Sequence, residues 1–197
     1  MQGFGFVDFP IDTHFDVRGR LGRLVPAMTS LNVTLGVGID EYTCLYYNDG
    51  VSTVYGRNGV FIVDTTFSLK TQSDYFHLKN IKLHYLSAGD SFNFKTKKLS
   101  TSKKAISPSI SGFSDSNDIL SSYECTRLMT RLVDQFGFEN LGRTRIPTDS
   151  TYPSSTPVFN ILFYKDQETA GYKNGNSYTI ENIKMDFSAE SRSWKWC

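Results

Sequence analysis

From Gly3 to Glu41 the sequence sets two short apolar runs around a charged loop and an amphipathic stretch. This order constrains the fold more than any other feature of the chain. Gly3–Phe9 reads as a buried strand that Pro10 ends, because proline has no N–H for a central ladder. Leu21, Leu24, Val25, Met28 and Leu31 recur at helical spacing. Pro26 is tolerated only in a first helical turn, so the helix starts near Arg23 or Leu24, or kinks there. Thr34–Glu41 reads as a second short buried strand ending in two acids. If the two strands are parallel neighbours joined by the helix, their exits share one sheet edge. Open α/β sheets place their sites at such an edge.

The loop between strand and helix concentrates the chemistry. Asp12, His14, Asp16, Arg18, Arg20 and Arg23 fall within twelve residues. Three neighbouring guanidiniums repel one another and need anions, whether protein carboxylates, ligand carboxylates or solvent. Arginine suits bidentate carboxylate recognition. The bland reading is a solvated face paired with Asp8, Asp12, Asp16 or Asp40. A histidine acting as general base needs a carboxylate to fix its tautomer, and Asp40 or Glu41 at the next strand exit can reach His14. His77 and His84 read as surface or sheet residues.

Beyond residue 41 the pattern turns to short β runs. Thr43–Tyr47, Val51–Tyr55 and Val60–Val63 are punctuated by Asn48-Asp49-Gly50 and Arg57-Asn58-Gly59, which read as hairpin turns. Residues 80–94 read as a strand pair around a turn. Three segments follow: residues 1–98 as one domain part, 99–116 as a Ser/Lys-rich linker or loop, and 117–197 as an extension of uncertain fold. Ser114–Asn117 offers N-cap chemistry for a helix carrying Cys125, Leu128, Met129, Leu132, Val133 and Phe136, stopped at Gly137 or Gly142. Pro157–Tyr164 and Tyr178–Phe187 read as strands.

Charge and composition exclude several classes. The net charge is +1 and 39% of residues are apolar, so the chain supports a core and has no general attraction to nucleic acid or anionic membrane. No apolar run approaches the roughly 20 residues of a transmembrane helix, and Met1–Phe9 does not read as a signal peptide. Cys44, Cys125 and Cys197 are too few and too far apart for a zinc motif. No metal or cofactor is expected. Asn32-Val33-Thr34 is a glycosylation sequon. No serine sits in a Gly-x-Ser-x-Gly elbow, so the residues supply a base and an orienting acid but no nucleophile.

Asp-x-His-Phe-x-x-Arg-Gly-Arg-x-Gly-Arg followed by Leu-Gly-x-Gly-Ile-Asp-Glu resembles the cyanophycinase family of serine exopeptidases. The resemblance runs from about Gly3 through Asp64, and more weakly to about residue 98. It implies part of a flavodoxin-like, class I glutamine-amidotransferase-like three-layer α/β sandwich, with a β-hairpin-rich segment and a C-terminal α+β extension. It implies that His14 is the catalytic base and Glu41 its orienting acid. Asp12, Thr13, Arg18, Arg20 and Arg23 would line the substrate pocket, although Thr13 stands where the family has glutamine. The implied substrate is a poly-aspartate carrying arginine on its β-carboxyl groups. The family's serine elbow precedes the histidine motif, so the chain is expected to be the C-terminal part of such a peptidase and inactive alone. A homodimer and a secreted location are further expectations. The alternatives are a cytoplasmic location, and a non-catalytic secreted binding or extracellular-matrix protein on the same scaffold.

Overall fold

β1 (Ile11–Thr13) and β2 (Leu35–Ile39) lie side by side in parallel, with Thr13 opposite Ile39, and α1 (Leu21–Leu31) crosses between them. The structure, a computed structural model, describes residues 5–71, 75–144 and 158–190. The first strand differs from its reading as residues 3–9. Residues 6–9 are bends and Phe6 is exposed, while residues 1–4 lie outside the described residues. Pro10 begins the pairing instead of ending it: its carbonyl accepts from the Val37 N–H at 2.9 Å. A proline lacks only the donor, so it can open a ladder through its oxygen. The shift puts Asp12 inside the strand and leaves His14 as the first residue beyond it.

α1 starts at Leu21, earlier than expected, and carries Pro26 within it. Its buried face is Leu21, Leu24, Val25 and Met28, whereas Leu31 is 62% exposed. The helix can pack close because β2 offers glycines beneath it. A Cβ on Gly38 would lie 2.3 Å from the Phe15 ring, so only glycine lets that fully buried ring seat on the strand.

Three layers follow from the alternation of side chains along β5 (Val60–Asp64), which is buried throughout. Phe61 and Val63 face a core shared with α1 and α2 (Glu124–Asp134); Val60 and Ile62 face a second core containing Val54, Phe92 and Phe94. Burying each such side chain stabilises the fold by about 1.5–3 kcal/mol. The first layer holds the two helices. The third is a four-stranded sheet of β3 (Thr43–Asn48), β4 (Val51–Gly56), β8 (Ser91–Asn93) and β9 (Lys98–Ser100). The middle layer is an eleven-stranded sheet among the described residues. Its main path runs β1, β2, β5, β7 (Leu78–Leu86), β15 (Ser177–Glu190), β13 (Val158–Tyr164), β12 (Glu139–Arg143) and β11 (Asp115–Ser116). β6 (Leu69–Lys70), β10 (Lys104–Ala105) and β14 (Ala170–Asn174) attach at its margins.

The chain is thus a mixed α/β protein with one large sheet. Among the described residues that sheet is mostly antiparallel, and only β1–β2 and β11–β12 pair in parallel. Among the described residues, parallel strands joined through a helix are confined to the β1–α1–β2 and β11–α2–β12 units.

Of the two turns read as hairpins, one is a hairpin and the other a switch between sheets, and the turn within residues 80–94 is a second switch. Asp49 and Gly50, both with positive φ, close a true β3–β4 hairpin. Arg57–Gly59 instead carries the chain from the small sheet into β5, whose partners are β2 and β7. The turn after β7 likewise leads into β8 of the small sheet. Residues 99–116 hold the end of β9 and two two-residue strands, β10 and β11, each paired to a different neighbour. The large sheet takes strands from both before and after this stretch, with β7 beside β15.

α2 begins at Glu124, well after the Ser114–Asn117 cap signal, and ends at Asp134 before either glycine. Cys125, Leu128, Met129, Leu132 and Val133 are its buried stripe, and Phe136 lies beyond it, 60% exposed. Ser114–Asn117 caps nothing because Asp115 and Ser116 pair with β12. The two segments read as strands are strands, β13 from Val158 (Pro157 lies outside the described residues) and β15, and they pair antiparallel, with β14 folded against β15. Cys44 is an exposed free thiol and Cys125 a buried one, while Cys197 lies outside the described residues.

Candidate active site

His14 follows β1, Asp40 and Glu41 follow β2, and the parallel register brings the two exits together. The His14 Nδ1 lies 2.8 Å from Glu41 Oε1, with both side chains partly exposed. Asp40, the other acid that could have reached His14, is used differently. It is 5% exposed, and its Oδ1 accepts from the Glu41 N–H at 2.9 Å and the Val17 N–H at 3.4 Å. Burial raises its pKa above the ordinary carboxylate value. Asp40 therefore shapes the loop that presents Glu41. His14 itself has a φ of 51°, a left-handed conformation that costs a non-glycine residue about 1 kcal/mol or more.

Asp12 is buried and answers the question of which anions the arginines find. Its carboxylate accepts from Arg20 Nη1 at 2.9 Å and from Arg23 Nε at 2.8 Å, and Arg23 Nη2 also bonds to it. Arg20 Nη1 bonds in addition to the Thr13 carbonyl at 2.5 Å. Two of the three guanidiniums are thus held by a carboxylate of the chain. Arg18 is exposed and forms no hydrogen bond or ion pair among the described residues. The Thr13 side chain is exposed and Asn32 is exposed at the end of α1, where its N–H donates to the Met28 and Thr29 carbonyls. Asp12→Ala is expected to lower stability by about 2–3 kcal/mol, because it strands Arg20, whose side chain is only 19% exposed. Arg23→Ala is expected to cost less than about 1 kcal/mol, since its guanidinium is 61% exposed. Chemical denaturation of the two variants checks the ranking.

A cleft of about 720 Å³ opens beside this network. Arg18, Arg20 and Arg23 form its rim and Phe76, Phe159, Ile161 and Phe187 its apolar floor; His14 and Glu41 are not among its lining residues. The three arginines thus line an apolar cleft that the histidine–glutamate pair does not.

Asp16 does something the sequence did not announce. It is 1% exposed, and its carboxylate accepts from the Cys125 N–H at 3.2 Å and from the Thr126 N–H and hydroxyl at 2.9 and 2.5 Å. These amides belong to the first turn of α2, whose own cap residue, Tyr123, provides no side-chain cap. Asp16 is an N-cap supplied from 109 residues away. Burial raises its pKa to about 6, against the pull of the Thr126 bonds. Gly19 completes the docking: a Cβ there would fall 2.0 Å from the Leu120 carbonyl oxygen. The loop that carries His14 is thereby fixed to the segment that starts α2.

Other residues close around Glu41. Asn58 Nδ2 donates to the Glu41 carbonyl at 2.8 Å and lies 3.5 Å from the Tyr123 hydroxyl. The Thr43 hydroxyl donates to the same carbonyl at 3.0 Å. Tyr123 has a φ of 61°, and its pKa is raised by burial and by the nearby acids Asp40 and Glu41. Asn58 was legible only as a turn residue, and nothing in the sequence marked Tyr123.

No family model matches the chain. Curated proteins do. A cyanophycinase of Synechococcus elongatus is 39% identical over 102 residues, covering 48% of this chain and 32% of its own length. One of Trichormus variabilis is 37% identical over 99 residues, with 46% and 33% covered. One of Geminocystis herdmanii is 36% identical over 103 residues, with 48% and 38% covered. The chain spans about a third of the length of the curated relatives it matches. Over about half of its own length, the chain is similar to these cyanophycinases.

Proposed function

We propose that this chain supplies the general base of a cyanophycinase-like serine peptidase acting on β-aspartyl-arginine peptides. The observation that carries the reading is the 2.8 Å contact between His14 Nδ1 and Glu41 at adjacent strand exits. With Nδ1–H donated to Glu41, Nε2 is left as the acceptor for a hydroxyl proton. A serine elsewhere in the longer protein attacks the substrate carbonyl, and His14 takes its proton and delivers it to the leaving amine. Water then attacks the acyl-enzyme by the same route in reverse. Glu41 holds the imidazole and stabilises its charged form. Arg18 is free to meet a substrate carboxylate, while Asp12, Arg20 and Arg23 form a paired wall of the pocket and not three independent clamps.

In the longer protein, His14→Ala is expected to lower kcat/KM by at least about a thousandfold while the fold is kept. Glu41→Gln is expected to lower it on the order of 10³-fold, by losing control of the tautomer. Full cleavage of a β-aspartyl-arginine dipeptide by His14→Ala would end this reading. On the same reading, residues 1–197 alone hydrolyse nothing, for want of the nucleophile.

A second reading, a non-catalytic binding protein on this scaffold, is favoured by the internal pairing of Arg20 and Arg23 with Asp12. Fluorophosphonate labelling of the native protein separates the two, since only the enzyme carries a reactive serine. A secreted location is part of either proposal. A glycosidase-sensitive change of mass at Asn32 supports it, and an unmodified Asn32 in the native protein favours the cytoplasm.

A further inference from the structure

Glu41 can orient His14 only if its own main chain is held, and the structure holds it from both sides. The Glu41 N–H donates to Asp40 Oδ1 at 2.9 Å, and its carbonyl accepts from Asn58 Nδ2 at 2.8 Å and Thr43 Oγ1 at 3.0 Å. The next residue, Tyr42, is left-handed with a φ of 53°, a conformation that persists only where its surroundings over-determine it. Asn58 sits in the Arg57–Gly59 switch between the two sheets, half-buried. Its N–H donates to the Thr43 hydroxyl at 3.2 Å, so the two donors to the Glu41 carbonyl are themselves coupled. The switch is anchored in turn, because the Asp40 N–H donates to the Gly59 carbonyl at 3.2 Å and the Arg57 N–H to the Tyr42 carbonyl at 3.0 Å.

We infer that Asn58 is a positioning residue of the His14–Glu41 pair: its side-chain amide fixes the Glu41 main chain and thereby the direction from which the carboxylate meets His14 Nδ1. The catalytic consequence rests on the peptidase reading; the geometric one does not. Asn58 touches neither His14 nor any reacting atom. It acts through Glu41, and its effect is therefore on imidazole orientation and tautomer, not on binding of the acidic portion of a substrate. The same amide faces the Tyr123 hydroxyl at 3.5 Å, so the approach to α2 forms the outer boundary of this arrangement.

The test uses Asn58→Asp, which keeps the shape and removes the amide donor. Long-range ¹⁵N–¹H correlation spectra of the 197-residue chain report which nitrogen of neutral His14 carries the proton. The native chain is expected to show the Nδ1–H form, and Asn58→Asp to move at least half of the way toward the mixture seen in Glu41→Gln. Asn58→Gln, which keeps a side-chain amide donor, is expected to recover part of the native pattern. If Asn58→Asp is folded and its His14 signals match the native ones, the inference is overturned. Should the acidic variant fail to fold, Asn58→Ala, with the Thr43 bond left in place, gives the same readout. In an active longer protein, Asn58→Asp is expected to lower kcat about tenfold or more with KM within about twofold. A changed tautomer in a protein with no peptidase activity would uphold the positioning role while refuting the proposed function.

Discussion

Replacing Asp90 with alanine is expected to cost about 3–5 kcal/mol of folding stability. Asp90 is fully buried in the turn between β7 and β8. Its Oδ1 lies 2.7 Å from the Lys103 ammonium, whose side chain is 7% exposed. Its Oδ2 accepts from the Ser87 N–H at 2.8 Å and from the Thr179 hydroxyl at 2.5 Å. Its main-chain carbonyl accepts from the Val54 N–H at 2.9 Å. One carboxylate therefore joins the switch turn, the stretch before β10 and strand β15. Alanine would leave a buried cation and two buried donors without partners, which is the costly way to break such a pair. Lys103→Met should cost less, because Asp90 keeps Ser87 and Thr179. The two changes together should cost less than their sum, since the second removes a charge the first had stranded. Urea unfolding with an unchanged m-value is the measurement. A loss below about 1 kcal/mol for Asp90→Ala would mean that water replaces the pair at little expense.

The second large effect concerns pH. Burial raises Asp16 from 3.8 to about 6 and lowers His84 from 6.5 to about 4. For Asp16 the folded protein binds the proton more tightly than the unfolded chain. Its contribution is fully present below about pH 4 and is lost as pH rises through about 6. For His84 the unfolded chain binds the proton more tightly. Its contribution is fully present above about pH 6.5 and is lost as pH falls through about 4. Each is worth on the order of 3 kcal/mol across the window, and the signs oppose. Their joint contribution between pH 4.5 and 6.5 should be nearly flat. Asp16→Asn keeps the cap's acceptor and should make stability rise with pH across that window. His84→Gln keeps an acceptor for the Asn182 N–H, which lies 3.4 Å from His84 Nδ1, and should make stability fall. Parallel profiles for the two variants would refute the assignment.

What could be read in the sequence was local and periodic. Leu21, Leu24, Val25 and Met28 wrote the buried face of α1, and the strand pair around it fixed where His14 and the two acids emerge. Choosing Glu41 over Asp40 was beyond a pattern, because it depends on loop amides from Val17 and Glu41 occupying Asp40. The pairing of Asp12 with Arg20 and Arg23 spans a strand and a helix, and spacing could only number it among several alternatives. The turns at residues 57–59 and 87–90 were visible as turns, but turn chemistry does not say which sheet the next strand joins. The start of α2 was missed because its cap is not written beside it. Ser114–Asn117 had the right residue types, while the acid that caps the helix lies in another loop.

That remote cap has a consequence for the order of events in folding. A helix with its cap beside it can begin from local contacts alone. The first turn of α2 instead lacks its acceptor until residue 16 has travelled to residues 125 and 126, a closure that slows any step depending on it. The β1–α1–β2 unit can assemble from neighbours in sequence; the front end of α2 cannot. The first turn of α2, and the docking of the His14 loop against it, should therefore become native after the β1–α1–β2 unit itself.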